Sequence, residues 1–118
     1  MAREYIRAGE LRHRATFERP VQTAGGGMGQ RVTSSWSALR SRRPVRVQEL
    51  MANEVVNAEQ LQSHITHLVE TRWFDGLTPR DRIIWHDGAT NRTLAIVGPP
   101  LNPDGHKRKM LVNCKEAR

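Results

Sequence analysis

The chain has 118 residues, 37% of them hydrophobic and six of them aromatic, which suits one domain with a modest core. Its single cysteine excludes an intramolecular disulfide, and no run of eighteen apolar residues or signal-like N-terminal stretch is present, so a soluble protein kept in the producing cell's cytoplasm is expected. The formal charge is +7, and sixteen of the nineteen basic residues are arginine. Because these arginines are spread along the chain, contact with phosphates, contact with an acidic partner and simple solubility all fit the charge.

In chain order, residues 1–10 (MAREYIRAGE) mix charged and apolar residues without a strong period and are expected to form an N-terminal arm. Residues 11–20 alternate, with Leu11, His13, Ala15 and Phe17 on one face and Arg12, Arg14, Thr16 and Glu18 on the other. That is the pattern of a half-buried strand, which Pro20 should end. The stretch TAGGGMGQR (23–31) follows, and RVTSSWSALR then resumes the alternation with Val32 and Trp36 in phase. Together these predict a long antiparallel hairpin with a glycine-rich loop over about 22–31. In RSRRPVRVQ, Pro44 lacks a backbone donor, so this piece reads as an edge, a bend or a link.

The spacing of Met51, Val55, Ala58 and Leu61 gives one apolar stripe and predicts an α-helix over about 48–62. Beyond it, residues 63–73, 82–85, 92–97 and 109–115 read as strands. Asp75-Gly76, Asp87-Gly88 and Asp104-Gly105 read as turns, because Asp tolerates and Gly prefers the left-handed region. The expected fold is mainly β, with residues 1–118 forming one domain. It is a small antiparallel β-barrel of about six strands, carrying one helix and a long hairpin loop. Ile83 beside Ile84 and Met110 beside Leu111 place apolar residues on both faces, so part of the outer surface should meet the helix or another chain.

The chemistry-bearing patterns mostly fail on their own terms. A phosphate-binding loop needs Lys-Ser/Thr after its last glycine and a helix next; Gln30-Arg31 and a strand stand here instead. His64 and His67, three apart on a strand, face opposite ways, and His67 suits a place in or near the core. Cys114 lies in an apolar strand, where a cysteine acts as a small hydrophobe. No paired carboxylates or nucleophile–base arrangement is visible, so no catalytic group, metal or cofactor is expected. The basic runs 40–46 and 106–109 read either as nucleic-acid contacts or as solvated segments.

The order of segments nevertheless resembles the head–tail joining family of long-tailed bacteriophages and gene-transfer agents, whose members act as head-closure, stopper or adaptor proteins. The opening strand carries Gly9, Leu11, Arg12, Arg14, Ala15, Phe17 and Pro20 of the family pattern. A second strand carries Thr66, His67, Leu68, Val69 and Arg72, and the closing one Asp104, Gly105, Met110, Val112, Cys114 and Glu116. The likeness runs from about Ala8 to Glu116, and the middle departs from it: RSRRPVRVQE replaces the usual aromatic-alanine strand and glycine.

The resemblance implies a structural virion protein at the head–tail interface, made in the host bacterial cytoplasm, without catalysis, cofactor or membrane contact. It implies a ring of this chain, generally of twelve copies, beneath the portal and adaptor. The ring would close or line the channel for packaged double-stranded DNA and offer a surface to the tail terminator or tail tube. The alternative is a small basic β-barrel that binds nucleic acid as an isolated protein. The connecting segments 23–31 and 40–47 are expected to touch neighbours or the lumen, through Gly25, Gly26, Gly27, Met28, Gly29, Arg31, Arg42, Arg43 and Arg46. Met28 is the first candidate for burial against a neighbour, and Lys107, Arg108 and Lys109 are candidates for contact with DNA or a partner.

Overall fold

The alternating stretches close into a barrel. The computed structural model describes Gly9 and residues 11–24, 31–50 and 65–116. Six strands are present: β1 (His13–Ala24), β2 (Arg31–Glu49), β3 (His67–Arg72), β4 (Arg82–Asp87), β5 (Thr90–Ile96) and β6 (Lys109–Glu116). They follow the order β1-β2-β3-β6-β5-β4, every pair is antiparallel, and β4 returns to β1. Closure removes the free edges that a six-stranded open sheet would expose.

Period-two burial fills the interior. Ala15 and Phe17 of β1, Val45 and Val47 of β2, Val69 of β3, Ile83 and Trp85 of β4, Leu94 and Ile96 of β5, and Met110, Val112 and Cys114 of β6 form the core. Phe74 and Leu77 plug one end, and the Phe74 ring meets Phe17 edge-on, centroids 5.0 Å apart. His67 is buried, as expected, and its Nδ1 lies 2.8 Å from the Thr66 hydroxyl. The three Asp-Gly steps form turns, with φ of +100° at Gly76, +63° at Gly88 and +70° at Gly105. These angles favour glycine, which adopts the left-handed region without the strain an L side chain carries there.

Several expectations are corrected. Among the described residues there is no α-helix; a 3₁₀ turn lies at Pro103–Gly105 before β6. Gln48 and Glu49, the expected start of the helix, are strand residues paired with Leu68 and His67. Buried alternation ends at Val47, but backbone pairing with β3 carries the strand on to Glu49. The rest of that segment, with Met51, Val55, Ala58, Leu61 and also His64, lies outside the described residues.

Pro20 does not end β1, which continues to Ala24. The seam with β4 stops at Glu18, so Pro20 sits where one side of the strand is open and a missing donor is tolerated. The hairpin loop is shorter than 22–31, because Gln22, Thr23 and Ala24 pair with Thr33, Val32 and Arg31. Residues 40–47 are not a connecting loop; they lie within β2, a strand of 19 residues. Pro44 is accommodated there because β3 pairing begins only at Arg46, and the Thr71 hydroxyl donates to the Pro44 carbonyl at 3.0 Å.

Candidate functional site

Two strands that outrun the barrel make an arm. β1 pairs with β4 only over residues 14–18, whereas its pairing with β2 continues to Ala24 opposite Arg31. Among the described residues, the hairpin from Arg19 outward is therefore a two-stranded ribbon whose outer strand edges are open. Three contacts fasten its base. Arg19 forks onto the Asp81 carboxylate, with Nε and one Nη each 3.1 Å from an oxygen, and also donates to the Gly76 carbonyl. The Arg82 guanidinium lies 4.0 Å from the centre of the Trp36 ring while its Nε bonds Glu18 at 2.8 Å. Arg80 reaches Gln22 at 3.2 Å, closing a polar cleft lined by Arg19, Pro20, Gln22, Thr78, Arg80 and Asp81.

Asp81 is the one aspartate not followed by glycine. Its side chain is 1% exposed, and it also accepts from the Thr78 amide at 2.9 Å, fixing the turn before β4. The hydrogen bond and charge of Asp81 hold the Arg19 guanidinium above its ordinary pKa.

Three irregularities shape β2. Between Ala15 and Phe17, β1 advances two residues while β2 advances three, from Arg43 to Arg40. The same excess of one recurs between Arg40 and Ala38 and between Ser35 and Thr33. Each is a bulge, and all three extra residues lie on β2. At the first, Arg42 takes a left-handed φ of 44°, and its amide donates to the Thr16 hydroxyl at 3.1 Å.

The bulge decides where two side chains go. Residues 40 and 43 are an odd number apart, which in a regular strand would send them to opposite faces. With one residue bulged out, Arg40 stands opposite Phe17 and Arg43 opposite Ala15, both inward positions. Their guanidinium carbons lie 4.9 Å and 4.7 Å from the centre of the Phe74 ring, at the barrel mouth. Arg43 also donates to the Arg72 carbonyl at 3.3 Å. Burial foremost, then Arg40 and Arg72, hold the Arg43 guanidinium below its ordinary pKa.

The opposite rim is charge-balanced. Arg92 places two nitrogens 2.7 Å from the Glu116 carboxylate, reaches Asp87 and Glu49 at 3.2 Å, and covers the Trp85 ring at 4.6 Å. Bonding to Glu116 raises the Arg92 pKa above its ordinary value, with smaller help from Asp87 and Glu49.

The sequence-derived candidates therefore separate. Arg42 and Arg43 come together with Arg40, Arg72 and Phe74, which sequence reasoning did not name as contact residues; the odd spacing of 40 and 43 concealed that they share a face. Arg46 and Lys109 instead share Glu70, at 3.1 Å and 3.5 Å. Lys107 is exposed with φ of 54°, its amide held by Asn102 at 2.9 Å, and the Arg108 carbonyl accepts from the Trp73 amide at 3.2 Å. Arg31 pairs with Ala24 at the far end of the arm, and Gly25, Gly26, Gly27, Met28 and Gly29 lie outside the described residues. Cys114 is fully buried, and burial pushes its thiol above the ordinary range.

A closed barrel with a projecting, open-edged arm and a cationic mouth has the equipment of an assembly protein, one that works by contact. The chain belongs to the phage head completion protein family, which it matches over residues 6–117. It is a structural component of the phage head–tail connector and not an enzyme. No match was found among curated proteins. Among solved structures it is similar to protein SF1141 from Shigella flexneri 2a, at 21% identity and a TM-score of 0.69. That likeness covers 95% of this chain and 97% of the other, and the two share a fold.

Proposed function

We propose that residues 1–118 act as one connector domain that assembles as a ring, generally of twelve copies, beneath the portal and adaptor. The ring closes or lines the channel once DNA is packaged and presents a face to the tail terminator or tail tube. The family match over residues 6–117 carries this reading. The arm supports it: its open strand edges offer backbone donors and acceptors to a neighbour, and Arg19–Asp81 and Arg82–Trp36 fix its base. Glycines 25, 26, 27 and 29, with Met28 and Arg31, belong to the tip that would meet a neighbour or the lumen.

Electron microscopy of intact particles, and of the protein mixed with its own portal–adaptor assembly, tests the proposal. A ring of this chain at the head–tail junction is the expected result. Particles that carry the chain elsewhere, or lack it when mature, would overturn it.

A further inference from the structure

One feature of the barrel mouth is unexplained by stability. Arg40 and Arg43 both stack on Phe74, Arg72 adjoins Arg43, and Arg42 occupies the bulge between the first two. Among the described residues, none of these four arginines forms an ion pair with a carboxylate. The acids on this side of the molecule are engaged elsewhere: Asp81 by Arg19, Glu18 by Arg82, Glu70 by Arg46 and Lys109, and Asp75 by the Trp73 indole. Like charges gathered without a counter-charge repel, and the opposite rim shows how this chain neutralises an arginine when it needs to.

We propose that the arginine cluster at the barrel mouth, Arg40, Arg42, Arg43 and Arg72, is a binding surface for the phosphates of duplex DNA. The proposal rests on the connector reading only for which DNA is met, the packaged genome. Guanidinium groups are weakly hydrated, planar and suited to phosphate oxygens, and two of them lie over the Phe74 ring. Arg40 gives one nitrogen to the Leu39 carbonyl and Arg43 one to the Arg72 carbonyl, and the five donors of each guanidinium leave others for a ligand. A protein partner would ask for an apolar centre inside its polar rim. Here the aromatic residue is itself buried beneath the cations, and among the described residues the exposed large hydrophobic ones, Val21 and Leu101, lie outside the cluster. The recognition is of backbone charge and carries no base sequence.

Fluorescence anisotropy with a labelled duplex and the full chain, across a salt series, tests this. For the wild type, log affinity falls linearly with log salt. The variant Arg40→Gln/Arg43→Gln/Arg72→Gln should bind more weakly, with the slope reduced by about 0.9 for each arginine removed. Arg12→Gln, outside the cluster, should change it no more than a single peripheral charge does. Should the triple variant fail to fold, Arg72→Gln removes an exposed side chain and should lower the slope by about 0.9 alone.

An unchanged slope in folded variants overturns the proposal. So does arginine-dependent binding of polyglutamate with no binding of the duplex, which would assign the cluster to an acidic protein face. A chain seen at the head–tail junction whose variants keep the wild-type slope sinks this inference alone. A chain absent from the junction sinks the connector reading, whatever the slope.

Discussion

Arg19 and Asp81, 62 residues apart in sequence, meet through two parallel hydrogen bonds of 3.1 Å at the point where the arm leaves the barrel. One partner is half-exposed and the other buried, so the pair joins a solvent-facing strand to the interior turn before β4. The Gly76 carbonyl completes the clamp on the arginine, and the Thr78 amide completes it on the aspartate. Because β1 loses β4 after Glu18, this clamp takes over where the sheet itself stops holding the strand.

Asp81→Asn should destabilise the fold by about 2 kcal/mol, since one amide oxygen can still accept from Thr78 and one Arg19 nitrogen, but the second acceptor and the charge facing Arg19 are lost. Arg19→Ala should cost at least as much, because it strands a buried carboxylate without its cation. Urea unfolding of the two variants checks the order. If Arg19→Ala proved harmless, solvent at the exposed arginine end would account for the pair's neutrality.

Arg42 is held in a left-handed conformation that suits glycine and burdens a β-branched residue. Arg42→Gly is expected to be neutral or to stabilise by up to about 1 kcal/mol, and Arg42→Val to destabilise by about 1–2 kcal/mol. Thermal melts of the pair read the bulge directly. Equal melting points would mean that β2 re-registers without it.

Cys114 gives a pH dependence of defined sign. Burial raises its folded-state pKa above the ordinary value of 9.0, so the folded chain keeps the thiol proton to higher pH than the unfolded chain does. Stability from this group is therefore complete below the ordinary value and declines as pH rises through it. The difference in melting temperature between wild type and Cys114→Ala should shrink from pH 8 to pH 10. Alkylation of the native thiol at pH 8 should be far slower than in urea. Rapid native labelling would contradict the burial.

Ala24 and Arg31 face each other across the arm, so replacing residues 25–30 with Asn-Gly should close the hairpin in register. The shortened chain should fold with an unchanged or higher melting point, yet assemble poorly on portal–adaptor complexes. Full infectivity of particles carrying it, with no loss of DNA, would show the tip to be dispensable.

Much of the barrel was legible because period two survives in β1, β3, β4, β5 and β6, and Asp-Gly marks its turns. β2 was harder. Its three bulges shift the phase, and Pro44 argues locally for a break that Thr71 repairs from a distant strand. The apolar spacing of Met51, Val55, Ala58 and Leu61 suggested a helix from residue 48, but pairing of Gln48 and Glu49 with β3 claims its first residues. The arginine cluster was half visible. Arg40, Arg42 and Arg43 stood out as part of a basic run, but the shared face of Arg40 and Arg43 depends on a bulge, and Arg72 and Phe74 join them only through register and closure, which no local pattern encodes.

The three bulges have a mechanical consequence. Every extra residue falls on β2, so between Arg43 and Arg31 the two strands of the hairpin cover the same span with unequal contour lengths. At about 3.3 Å per residue the surplus is roughly 10 Å. Two bonded ribbons of unequal length bend like a bimetallic strip, with the longer one on the outside. In the proposed ring every arm would curl in the same rotational sense. The tips would then sweep past one another like the blades of an iris instead of meeting head-on at the axis.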